Sequence, residues 1–115
     1  MKIRNGFVSN SSSTAFIITN ISNEQKTLVD FVKETPKLIK QFREEYDWYQ
    51  DNPEFTQENL IKSAEINNEN FPPGEGKYCI FGDEDGSMIG RVYDYILRDG
   101  GESESFRWRF KEYLR

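Results

Sequence analysis

Histidine is absent from the 115 residues, and cysteine occurs once, as Cys79. The first absence removes the side chain that most often shuttles protons near neutral pH, and with it the Ser-His and Cys-His pairings that activate most nucleophiles. The second excludes an internal disulfide and a multi-thiolate zinc site. There is no glycine loop ending in Gly-Lys-Ser/Thr to cradle phosphates. No stretch approaches the ~20 apolar residues that span a bilayer. The segment after Lys2 and Arg4 is rich in Ser and Asn, unlike the apolar core of a secretory leader. Carboxylate, Tyr and Lys chemistry is all that remains, so the expectation is a non-enzyme without cofactor or metal, neither exported through a leader nor held in a membrane.

What is there points to one folded domain. The length suits a single core, and aromatics at 15% supply large rings to fill it. Disordered chains are poor in such residues. Fifteen cations against twenty acids give a net charge of −5, which excludes a strongly basic nucleic-acid coat. The charge is unevenly placed. Residues 1–43 carry seven cations and three acids, residues 44–104 four and sixteen, and residues 105–115 four and one.

Met1 to Thr14 is a polar opening with an Asn5-Gly6 turn signal and the apolar-free run Ser9–Thr14. Ala15 to Thr19 then reads as a β-branched strand. Ser22-Asn23-Glu24-Gln25 fits a capping box, opening a helix with Leu28, Phe31 and Val32 on one face. Thr35-Pro36 restarts the helix, and Leu38, Ile39, Phe42 and Tyr46 continue the 3–4 spacing to Trp48 and Tyr49. A third helix is expected from Thr56 to about Asn67. After Pro72-Pro73-Gly74, Lys77 to Phe81 reads as a buried strand holding a buried Cys79. A helix with Ile89, Val92, Tyr93, Ile96 and Leu97 inward starts near Ser87 and ends at Gly100-Gly101. In the last segment Phe106, Trp108, Phe110 and Leu114 alternate with Arg107, Arg109, Lys111, Tyr113 and Arg115, with Glu112 the one exception on the apolar side. The fold class expected is α+β: a small antiparallel or mixed three-stranded sheet against three or four helices. Residues 1–14 form a polar interaction segment and 15–115 the domain.

Two surfaces are candidates for partner binding. Arg107, Arg109, Lys111 and Arg115 would project from one side of the last strand, roughly 7 Å apart, with Tyr113 beside them to stack on a base. Such a row suits an acidic protein surface or phosphates, or pairs with the chain's own acids. The second surface is the opening itself, through its hydroxyls and backbone amides. Asp83, Asp85, Ser87 and Asp94 fall at calcium-loop positions 1, 3, 5 and 12, but Met88 stands where the loop needs glycine. A helix-capping turn explains that segment better. The sequons at Asn10 and Asn20 read as accidental without a secretory route.

Residues Met1 to Phe16, Met-Lys-Ile-Arg-Asn-Gly-Phe-Val-Ser-Asn-Ser-Ser-Ser-Thr-Ala-Phe, resemble the opening of small uncharacterised proteins in bacteriophage and prokaryotic genomes. Those begin with a close variant of Arg-Asn-Gly-Phe-Val-Ser-Asn, several serines and Phe; Thr14-Ala15 replace two of the serines here. The resemblance implies a phage setting, in host cytoplasm or virion, and an N-terminus with a role of its own. It makes Arg4, Phe7, Ser9, Asn10, Ser11, Ser12 and Ser13 partner-binding candidates beside Arg107, Arg109, Lys111 and Arg115. The leading expectation is a non-catalytic protein that binds another protein, phage or host. The alternative is a nucleic-acid-binding accessory protein using the basic strand.

Overall fold

A computed structural model describes residues 13–45, 55–82 and 87–114. The strand β1, Ser13–Asn20, runs through the centre of the sheet. Its Phe-Ile-Ile-Thr run favours an extended backbone and fits a packed pleated surface. On one side it pairs antiparallel with β4, Gly76–Gly82, and on the other with β6, Phe106–Leu114. The two-residue strand β5, Gly101–Glu102, completes the order β4-β1-β6-β5, antiparallel throughout. A separate ribbon joins β2, Lys26–Thr27, to β3, Asn70–Phe71.

The α+β class therefore holds, but the sheet has four strands where three were expected, with a second two-stranded sheet beside it. Strands β2, β3 and β5 are two residues each, too short for an alternating pattern to register. The boundary placed after Thr14 also moves. Ser13 and Thr14 belong to β1 and are buried.

Four helices lie among the described residues: α1, Leu28–Glu34; α2, Pro36–Glu45; α3, Gln57–Ile66; and α4, Met88–Ile96. The first starts five residues later than the Ser22 box suggested. Thr27 Oγ1 accepts from Asp30 N at 3.2 Å, and Asp30 Oδ2 accepts from Thr27 N at 2.9 Å, a closed capping box. Pro36 opens α2, where a missing amide costs nothing, and Leu38, Ile39 and Phe42 face inward. Its expected extension through Tyr46, Trp48 and Tyr49 lies outside the described residues, as does the acidic turn at 83–86. Thr56 and Ser87 cap α3 and α4 by accepting from Asn59 N and Gly90 N. Gly100 turns the chain at φ +73°, and Gly101 packs so tightly that a Cβ would lie 2.6 Å from the Trp108 ring.

The core lies between the helices and one face of the sheet. Phe31 of α1 is at its centre. Its ring meets Tyr93, Phe106 and Trp108 edge-on, with centroids 5.4, 5.1 and 5.2 Å away. Phe71 and Phe81 extend the set to Phe106 and Tyr93. Edge-to-face pairs of this kind add to the energy of area burial.

Buried polar groups fix the layers in direction. Asn20 ends β1 without exposure to solvent. Its Nδ2 donates to the carbonyls of Glu24 and Phe71, both at 2.7 Å, and its Oδ1 accepts from Ser22 N and Oγ. The Ser22 hydroxyl thus closes a turn and caps no helix, and burial closes the Asn20 sequon in the folded protein. Asp94 is likewise fully buried. It accepts from the Thr14 hydroxyl and pairs with Arg98 at 3.2 Å, tying α4 to β1. Glu34 Oε2 accepts from Ser103 Oγ at 2.5 Å and Ser105 N at 3.0 Å, joining the end of α1 to the β5–β6 turn.

Two outcomes follow. Phe31→Ala should lower unfolding free energy by about 3–5 kcal/mol, measured by denaturant titration. Burial alone would raise the Glu34 pKa, but the hydrogen bonds from Ser103 and Ser105 hold it below its ordinary 4.5. A depressed carboxyl stabilises above its unfolded pKa and loses that contribution as pH falls through the folded value. Glu34→Gln should therefore be less stable than the natural protein at neutral pH, and the gap should narrow below pH 4.5.

Candidate functional site

Alternation along the strands sorts side chains between the two faces of the sheet. Phe16, Ile18, Cys79, Phe81, Phe106 and Trp108 point into the helix-covered core. The register places Ala15, Ile17 and Thr19 of β1 on the opposite face, flanked by Ile80, Tyr78 and Gly76 of β4 and by Glu112, Arg109 and Arg107 of β6. No described helix covers that second face. Tyr78 is 45% exposed and Ile80 54% exposed there.

The surface is organised by two polar contacts. Tyr78 Oη donates to Glu112 Oε2 at 2.7 Å, reaching across β1 from one neighbouring strand to the other. Arg107 Nε donates to Glu102 Oε1 at 2.8 Å, between paired residues of β5 and β6. Arg109 is exposed and has no partner among the described residues. The result is an apolar and aromatic strip on β4 facing a charged strip on β6.

The basic row expected of the last strand is broken. Phe16 pairs with Phe110 and Ala15 with Glu112, so Lys111 is the extra residue of a β-bulge. The bulge shifts the phase of everything after it. Glu112 joins Arg107 and Arg109 on the open face, and Tyr113 turns to the side of its partner Thr14. There the Tyr113 ring sits 4.8 Å from Phe110 and 5.1 Å below the Arg98 guanidinium. It is not placed to stack on a base beside the arginines. Glu112 as the lone misfit in the alternation was the trace of this bulge.

Of the N-terminal candidates only Ser13 is described, buried at the start of β1 opposite Gly82 and Leu114. Arg4, Phe7, Ser9, Asn10, Ser11 and Ser12 lie outside the described residues, as does Arg115. The strand reading of Lys77 to Phe81 needs a different correction. Only its odd positions are shielded, and Tyr78 and Ile80 look outward; the run is apolar at successive positions, so sequence alternation cannot show this. Cys79 is buried, and desolvation pushes its thiol up to about 12, which suppresses the reactive thiolate.

No group of three or more metal-ligating side chains occurs among the described residues. Asp94, at position 12 of the calcium alignment, is committed to Thr14 and Arg98 instead. No helix among the described residues is long and apolar enough to cross a membrane. The chain matches no protein-family model, no curated protein and no solved structure.

The Tyr78–Glu112 contact has a titration signature. The hydrogen bond to the carboxylate, then desolvation and the Glu112 charge, raise the Tyr78 pKa above 10.0. In Glu112→Ala it should fall back toward 10.0, as followed by NMR of the Tyr78 ring through alkaline titration.

Proposed function

We propose that this chain is a small phage-type, non-catalytic protein that acts by binding another protein through the open face of its sheet. The observation that carries this reading is the exposed pair Tyr78 and Ile80 on β4, with Arg109 across β1 on the same face, a face that no described helix covers. Tyrosine and arginine around an apolar centre are the side chains that contribute most at protein interfaces. The resemblance of residues 1–16 supplies the phage setting, host cytoplasm or virion. It also keeps the Arg4–Ser13 opening as a second contact segment of the same protein.

The balance of charge favours a protein over a nucleic acid. On the open face Arg107 and Arg109 are matched by Glu102 and Glu112, and Arg107 is already paired. A phosphate-tracking surface needs an excess of cations along its length. Here two cations and two acids share the face, which suits orientation of a partner with mixed polar groups. The lack of histidine and the inert Cys79 are in keeping with a binding role.

The test is affinity capture from the native host with the natural protein, with a Tyr78→Ala/Arg109→Glu variant, and with Lys33→Glu, which changes an exposed residue of the helix layer. Recovery of a discrete protein should fall roughly tenfold or more in the double variant, as hot-spot truncation does, and persist in Lys33→Glu. Equal recovery with the double variant overturns the reading. Recovery of nucleic acid that is released by salt would put the alternative in its place.

A further inference from the structure

The outer edge of β4 pairs with no strand among the described residues. Which of its backbone groups face outward follows from the ladder. Asn20 N donates to the Glu75 carbonyl and Gly74 N donates to the Asn20 carbonyl. Bonded pairs recur every second residue of an antiparallel ladder, so Ile18–Lys77, Phe16–Cys79 and Thr14–Phe81 are the bonded pairs. Ile21 N donating to the Ser105 carbonyl puts the intervening residues of β1 in register with β6, as this phase requires. The N–H and C=O of Tyr78 and Ile80 therefore point away from the sheet, at residues whose side chains are also exposed.

Natural edges are blocked by proline, bulges, or charges that repel a second strand. Gly76-Lys77-Tyr78-Cys79-Ile80-Phe81-Gly82 has none of the first two. Its one charge, Lys77, is 3.5 Å from Glu69 and donates to the Asn70 carbonyl. Two such edges thus approach without like-charge repulsion. The strand is also complementary to itself. Reversed about Cys79, glycine stands opposite glycine, Tyr78 opposite Ile80, and Lys77 opposite Phe81. Aromatic with β-branched is a favourable cross-strand pair, and an ammonium beside a ring is attractive. In this register each Tyr78 exchanges two backbone hydrogen bonds with Ile80 of the other copy, four bonds across the two Tyr78–Ile80 pairs by the antiparallel rule. Alongside the edge, a groove lined by Ile66, Asn67, Asn68, Glu69, Ile80 and Phe81 leaves Ile66 84% exposed.

We infer that the edge of β4 is the docking site for a second copy of this chain, the two β4 strands pairing antiparallel about Cys79 in one continuous eight-stranded sheet. The contact is isologous and closes at two copies. It uses backbone groups of the edge and does not depend on what binds the open face. Dimerisation would set two such faces side by side.

Sedimentation equilibrium over a range of concentrations tests the inference, combined with hydrogen exchange of individual amides in the full chain. The expected result is a reversible dimer, with the Tyr78 and Ile80 amides exchanging more slowly as the dimer fills. Ile80→Pro deletes an outward N–H that the monomer's ladder does not use, and should weaken dimerisation roughly tenfold or more, with two of four bonds lost. Ile80→Glu, which keeps the amide but sets a carboxylate opposite each Tyr78 ring and two like charges across the two-fold axis, should weaken it too. A monomer at all concentrations overturns the inference. So does a dimer whose Tyr78 and Ile80 amides exchange at the same rate throughout, or one unaffected by a folded Ile80 variant. A natural-protein dimer with those two amides protected upholds it even if Ile80→Pro fails to fold.

Discussion

Phe31 touches Tyr93 of α4 and Phe106 and Trp108 of β6 through one ring, each at about a right angle to it. The helix that bears it is only seven residues long, too short to be stable without tertiary contacts. The ring and the helix depend on one another. The Thr27–Asp30 box fixes where α1 begins, and that sets which turn delivers Phe31 to the sheet. Around it, Gly101 is stripped of a side chain so that the Trp108 indole can pack against β5. Aromatics at 15% of the chain are thereby concentrated on one side of the sheet, where a chain of modest apolar content can still close a core.

The polar anchors determine how that core is oriented. Asn20, Asp94 and Glu34 each join elements far apart in sequence. Asn20 and Asp94 do so from within the protein, where an unmet hydrogen bond is costly. Asn20 holds the end of β1 against the β3 segment, Asp94 holds its start against α4, and Glu34 binds the last hairpin. With its ends fixed in this way β1 cannot slip by one residue, a shift that would send Phe16 and Ile18 to the open side. The asymmetry between the covered and open faces is thus a product of both the aromatic cluster and three hydrogen-bonded side chains. The open face is left with what the core did not take.

The elements with long, clean periodicity were legible in the sequence. The α4 face of Ile89, Val92, Tyr93 and Ile96, the helix starts at Thr56 and near Ser87, and the alternation from Phe106 to Phe110 each rest on local chemistry. Other features rest on distant chemistry and could not be read locally. Ser22 satisfies a capping pattern as well as Thr27 does, and it takes Asn20, folded back against the Phe71 carbonyl, to decide between them. Ser13 and Thr14 look like linker until Asp94 gives the threonine hydroxyl a buried partner. Tyr78 and Ile80, the centre of the candidate site, are hidden in an unbroken apolar run, because which side of a strand is covered is a property of the whole sheet. Glu112 was the one local sign of the site's true shape.

That sign changes the meaning of the charge distribution. By sequence the last segment carries four cations and one acid, a small basic tail. In the fold a single bulge turns Glu112 onto the face that carries Arg107 and Arg109, β5 brings Glu102 to Arg107, and the two acids balance those two cations where a positive row was expected. Long-range attraction of a polyanion weakens when each cation has an acid within a Debye length, whereas short-range recognition keeps the full pattern of mixed signs. The chain's acidic surplus, concentrated in residues 44–104, acts in the same direction by repelling phosphate at a distance. On such a surface attraction at contact counts for more than attraction at a distance, and beside it the outer edge of β4, unpaired among the described residues and with its one charge, Lys77, already tied to Glu69, leaves backbone groups for a further strand.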